Sequence, residues 1–184
     1  MKAKELVQMA VLTAISIVLV YLVRFPIFAS APFLEYDMAD VPILIGTFLF
    51  GPISGLLLTA AVSILQGLTV SAQSGWIGII MHIIATGTFV VVAGAIYRFN
   101  HTRIGAIIAL VCGSIAMTLM MIPLNLIFTV HFMGVDRAVV VDMLIPVIIP
   151  FNLIKACANS IVTFLVYKHA GRVLRLGEDS NYKV

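Results

Sequence analysis

Apolar residues run through this chain in long stretches, separated by short polar or proline-containing joints. A helix that crosses a bilayer needs ~20 predominantly apolar residues, with a usable range of about 17–25. Leu6–Val23 meets that length without a charged residue. Apolar character resumes at Val41 and continues to Val70, broken by Gly51-Pro52. Proline suits the first turn of a helix and disrupts an interior. This stretch therefore predicts two short helices, Val41–Phe50 and Ile53–Val70, joined by a tight turn. Asp40, just ahead of the first, is the expected N-cap. Beyond the polar linker Ser71–Gly75, the pattern predicts Trp76–Tyr97, Ile104–Val130 and Pro146–Lys168, the last reached through a loop over His131–Asp142. A barrel would show ~10-residue segments of alternating polarity, and these stretches are continuous. The expected fold is an all-α integral membrane protein, a single transmembrane domain over residues 1–184 built as a six-helix bundle.

Composition agrees with that pattern. The chain of 184 residues is 62% hydrophobic and 10% charged, against roughly 45–50% and about 25% for soluble domains. The first apolar stretch follows Met-Lys-Ala-Lys-Glu, like a signal peptide. Its length, and the aromatic and proline residues that follow in place of a cleavage site, mark it as a mature helix. Cys112 and Cys157 lie in apolar runs without metal-site spacing and read as packing residues. A net charge of +3 with no basic run gives no support for nucleic-acid binding.

Charge also orients the bundle. Six spans place both termini on one side, together with Lys2, Lys4, Arg98, Arg103, Lys168, Arg172, Arg175 and Lys183. The opposite joints hold Arg24 and Arg137 with Glu35, Asp37, Asp40, Asp136 and Asp142. Eight basic residues against two make the termini cytoplasmic by the positive-inside rule. The loop over 24–40 then faces outward.

Lys155 is the basic residue set deep in a span, where an unpaired charge costs several kcal/mol. Asn152, Lys155 and Asn159 fall at i, i+3 and i+7 and share one helical face. Such a face either binds helices together, as buried amides do, or lines an internal cavity with donors for a ligand. Asn125, preceded by Pro123, is a second buried amide with the same two roles open. Gln66 and His82 are further candidates for ligand contact. Tyr36, Phe33 and Trp76 belong at the outer interface, either as an aromatic belt or as a lid over a cavity. Ala10 and Ala14 form a small-x-x-x-small pair, as do Gly51 and Gly55, which permits close helix approach. No nucleotide-binding loop, metalloprotease motif, nucleophile–histidine pairing, arginine-rich sensor or acidic relay is present. That pattern describes a binding subunit driven by another protein's energy. An autonomous secondary transporter would call for paired repeats and a coupling acid.

The stretch Phe33-Leu34-Glu35-Tyr36-Asp37-Met38-Ala39-Asp40-Val41-Pro42, followed by Phe50-Gly51-Pro52-Ile53-Ser54-Gly55, resembles the substrate-binding S components of energy-coupling factor vitamin transporters. The likeness is nearest to the riboflavin-type branch and continues at Met117-Thr118, at Asn125 and at Pro150-Phe151-Asn152-Leu153-Ile154-Lys155. It implies a multi-pass protein of a bacterial cell membrane that captures a vitamin outside. Delivery would follow by toppling against a transmembrane scaffold and two ATPase subunits. The resemblance implies flavin contacts for Asn125, Asn152 and Lys155, scaffold contacts for Ala10 and Ala14, and a gate in the loop over 24–40. Asp37 and Tyr36 of the quoted motif join the substrate-binding set with Gln66 and His82. No cofactor is implied beyond the bound vitamin. Two positions depart from the flavin-type pattern. Ala61-Val62-Ser63 replaces Ile-Lys-Asn, and His82 replaces an asparagine. Pantothenate or a thiamine-precursor pyrimidine is the alternative ligand.

Overall fold

The structure, a computed structural model, describes residues 3–175; Lys2 and Lys183 of the charge count lie outside the described residues. The first helix, α1 (Ala3–Leu22), leads into a two-stranded antiparallel hairpin, β1 (Arg24–Pro26) and β2 (Glu35–Asp37), in the register Arg24↔Asp37, Phe25↔Tyr36 and Pro26↔Glu35. Helices α2 (Asp40–Phe50) and α3 (Pro52–Leu68) follow, then a 3₁₀ turn at Ala72–Ser74 and α4 (Gly75–Phe99). Next come α5 (Arg103–Leu124), α6 (Val130–Met133), α7 (Arg137–Met143) and α8 (Ile149–Arg175). Among the described residues, four helical stretches are long and apolar enough to cross a membrane: Ala3–Leu22, Ala72–Phe99, Arg103–Met133 and Arg137–Val173. Helices α2 and α3 are apolar but shorter.

The break at Gly51-Pro52 falls where the sequence pattern puts it. Gly51 has φ 93°, a left-handed conformation open to glycine, and Pro52 opens α3. Other joints differ from expectation. Asp40 is not a cap: Ala39 ahead of it is already helical, at φ −57° and ψ −35°. The Asp40 side chain consequently turns into the bundle. The expected loop over His131–Asp142 is mostly helical, interrupted at Gly134–Asp136. Pro146 does not open its helix either, and the helix carrying Pro123 continues past it as expected. Pro146 lies within a π-helical turn at Leu144–Ile148, and Pro123 shortly precedes one at Asn125–Thr129. A proline lacks the N–H that closes an α-turn, and the wider π spacing takes the chain past it.

Helix α2 is the centre of the bundle. Every residue from Asp40 to Phe48 is buried, and α1, α3, α4 and α8 all pack against it. Phe48 stacks on Tyr97 at 4.2 Å and meets the edge of Tyr167. A second apolar cluster, Ala31, Leu34, Val140, Ile148 and Phe151, fastens the loop between the strands to α7 and α8. Helix α1 buries one stripe, Met9, Leu12, Ser16 and Val20, and Ser16 Oγ donates to Ala39 O at 3.1 Å. Ala10 and Ala14 lie on its exposed side. Gly55 of the second small-residue pair packs inside the bundle, where a Cβ would meet Thr47 and Val90. Cys112 is half-buried, but Cys157 is exposed, so it is not the packing residue its apolar run suggests.

Helices α4 and α5 meet in a close seam, where a Cβ added at Gly113 would run into the Phe89 ring and Ala93. Phe89 is wholly buried. Replacing Gly113 by leucine is expected to destabilise the fold by at least about 1–3 kcal/mol, the usual penalty for overpacking. Thermal denaturation in detergent measures it, and an unchanged midpoint would mean that the seam yields.

Candidate functional site

Five elements converge on one polar centre. Helix α8 contributes Lys155 and Asn159, the hairpin Tyr36 and Asp37, α2 Asp40, α3 Ser63 and Gln66, and α4 His82 and Thr86. Lys155 Nζ donates to Asp37 Oδ2 at 2.8 Å, and both side chains are buried. The other Asp37 oxygen, Oδ1, accepts the Ala39 N–H at 3.0 Å, which fixes the carboxylate where β2 meets α2. A lysine this deep requires a counter-charge, and the hairpin supplies it.

A second carboxylate lies beneath the first. Asp40 is fully buried; Oδ1 accepts from Thr86 Oγ1 at 2.9 Å and contacts His82 Nε2 at 3.1 Å. Its Oδ2 accepts from Asn159 Nδ2 at 3.3 Å. His82 Nδ1 is 2.9 Å from Ser63 Oγ. Asn159 also donates to Asp37 O at 3.1 Å, and its Oδ1 accepts the Tyr36 hydroxyl at 3.0 Å. Burial, and then the Asp37 carboxylate, push the Tyr36 phenol above its ordinary pKa. The phenol therefore keeps its proton and remains a donor to Asn159. Asn159 thus works as a clamp between α8, α2 and the hairpin, the helix-binding role that buried amides take in membranes.

Above this network is a cavity of about 140 Å³. Its wall includes Lys155, Asp37, Gln66 and His82 from the sequence-predicted set, together with Arg24, Phe33, Glu35, Ser63, Ser71, Ser74 and Ile79. Arg24 Nε donates to Glu35 Oε2 at 2.7 Å, and the same guanidinium reaches the Val70 carbonyl in the turn just beyond α3. Both cations of the wall are therefore paired with carboxylates.

Three sequence-predicted residues stand off this wall. Tyr36 is buried against Phe25, ring centroids 5.3 Å apart, and anchors the hairpin. Asn125 Nδ2 donates to Met121 O at 2.7 Å, and its Oδ1 accepts from Thr129 at 2.7 Å. Asn152 Nδ2 donates to Ile148 O at 2.8 Å. Each asparagine thus binds a carbonyl four residues back, beside a π-helical turn. Trp76 is exposed, edge-on to Phe128. Sequence reading missed the Arg24–Glu35 pair and the Asp40 acceptor. The usable signal for the pair was a lone arginine directly after a charge-free helix, with an acid in the motif that follows.

Residues 4–167 match the family described as ECF transporter, substrate-specific component. The chain belongs to that family. As an S component it is part of a transporter and not an enzyme. It is 30% identical over 178 residues to the riboflavin transporter RibU of Staphylococcus aureus (strain TCH60), covering 94% of this chain and 93% of the relative. It is 27% identical over 175 residues to the riboflavin transporter FmnP of Bacillus subtilis (strain 168), covering 91% and 92%. A solved S component of a bacterial ECF transporter superposes with a TM-score of 0.80 at 32% identity, covering 94% of this chain and 98% of that one. The mostly helical fold of this chain is thus that of an S component.

Proposed function

We propose that this S component binds riboflavin and hands it to an ECF scaffold subunit and two ATPases for uptake into the cell. Likeness over nine-tenths of the chain to relatives named as riboflavin transporters carries this reading. Cavity charge supports it too. Riboflavin offers ring carbonyls and no negative charge, and Lys155 retains ammonium protons beyond the one given to Asp37. Pantothenate would bring a carboxylate into a wall whose two cations, Arg24 and Lys155, are already neutralised. It would have to displace an acid from one of them.

In the proposed membrane arrangement all six helical segments span, with both termini cytoplasmic and the hairpin outward, as the distribution of basic residues favours. The hairpin is the proposed gate. Small-ligand sites usually enclose about 300–1,000 Å³, more than the 140 Å³ cavity, so admitting a flavin requires the hairpin to move. Asn152, one turn from Lys155 on α8, and Asn125 are proposed to join the site as it opens. Ala10 and Ala14, exposed on α1, are proposed to dock the scaffold.

Uptake of labelled riboflavin into cells that lack their own transporter tests this reading. Uptake is expected only when the chain is expressed with the scaffold and ATPases and ATP is available. Accumulation by the chain alone under an ion gradient would instead make it a secondary transporter. Uptake of pantothenate without riboflavin would reassign the ligand.

A further inference from the structure

The hairpin is fastened on two sides by ties of different strength. Its connecting loop has an apolar seat, where Ala31 and Leu34 are buried with Val140 of α7, Ile148 of the π turn and Phe151 of α8. Its strands are tied to the turn between α3 and α4 by a single side chain, Arg24 of β1. Glu35 of β2 accepts from Arg24 Nε at 2.7 Å and from one terminal nitrogen of the same guanidinium. That leaves the other terminal nitrogen for the Val70 carbonyl across the gap. Glu35 thus holds the planar fork in the orientation that reaches Val70.

Magnitudes decide which side gives way. The Arg24 and Glu35 side chains are 15% and 26% exposed, and an ion pair that water reaches is a weak tie that salt screens. Buried apolar side chains make a stronger one. The cavity lies along the weak side. Arg24 and Glu35 line it together with Gly67, Ser71 and Ser74 around the turn, and none of the five buried residues of the apolar seat does. We propose that riboflavin enters between the strands and the α3–α4 turn, and that Arg24 is the latch holding this seam shut. The latch rests on the riboflavin reading and gives its gate an opening side and a residue that sets the rate of entry.

Stopped-flow mixing of riboflavin with the purified full chain in detergent, read by flavin fluorescence, tests the latch. Riboflavin is uncharged, so salt has no long-range steering of the ligand to screen. The wild-type association rate is expected to rise about twofold from low to high salt as the pair weakens. Glu35→Gln is expected to associate roughly twofold to fivefold faster at low salt and to lose the salt response. Arg24→Gln, which also gives up Val70, is expected to be at least as fast. Val140→Ala loosens the apolar seat and is expected to keep the wild-type rate and salt response. Entry as fast in Val140→Ala as in Glu35→Gln would put the entrance on the other side and overturn the proposal. So would salt-independent association in wild type, or wild-type rates in both latch variants. In each of those cases riboflavin still binds and the functional reading stands; if wild type binds no riboflavin, that reading fails and the latch with it.

Discussion

Lys155→Met is expected to weaken riboflavin binding by about 1.5–3 kcal/mol, the range for a hydrogen bond to a charged group, and also to lower the stability of the protein. The two effects arise separately. Stability falls because Asp37 keeps its burial and its Ala39 N–H but loses the ammonium 2.8 Å away. Removing one partner of a buried pair typically costs about 3–5 kcal/mol, and uptake of a proton by the stranded carboxylate would limit the loss. Affinity falls because the donor facing the cavity is gone. The double variant Asp37→Asn/Lys155→Met separates them, since it deletes both charges together. It is expected to regain most of the denaturation midpoint while leaving affinity low, a coupling that a double-mutant cycle measures. Unchanged riboflavin affinity in Lys155→Met would remove Lys155 from the site. A double variant no more stable than either single one would mean that the two charges are not coupled.

The largest stability effect is expected from Asp40→Ala. This carboxylate serves Thr86 and His82 on α4 and Asn159 on α8 through its two oxygens, and it is fully buried. Without it, buried donors on two helices lose their acceptor, each at about 1–3 kcal/mol. A total of several kcal/mol is a large share of an ordinary folding free energy of about 5–15 kcal/mol. Low yield of monodisperse protein and a sharply lower denaturation midpoint are the readouts. Asp40→Asn is expected to be milder, because one oxygen remains for His82 and Thr86 while an amide NH2 opposes the Asn159 donor. The comparison also tests where Asp40 acts. A helix cap is worth typically about 1 kcal/mol, so a loss that small would return Asp40 to the end of α2 and contradict the buried network.

What could be read from the chain alone follows from the range of each interaction. The turn at Gly51-Pro52 is local chemistry, and it formed where those residues stand. The helical face of Lys155 is also local, because residues three and four apart always share a side. Its partner was not legible as a partner. Asp37 lies 118 residues away, and nothing in either segment states that they meet. The hairpin escaped notice because two three-residue strands, one of them ending in a proline, leave no alternating pattern to find. Pro146 was misleading in a different way. It marked the start of a span, but the chain is already helical before it and passes it in a π turn, and Asn125 and Asn152 bind carbonyls beside such turns. Asp40 had the composition of a cap, and its burial at the centre of five elements is a tertiary outcome.

Riboflavin titration of the purified chain in detergent tests the central claim most directly. Fluorescence of Trp76, the one tryptophan in the sequence, and of the flavin itself both report binding. Saturation at one riboflavin per chain, undisturbed by excess pantothenate, is the predicted result. No change in either signal, or displacement of riboflavin by pantothenate at equal concentration, would contradict it.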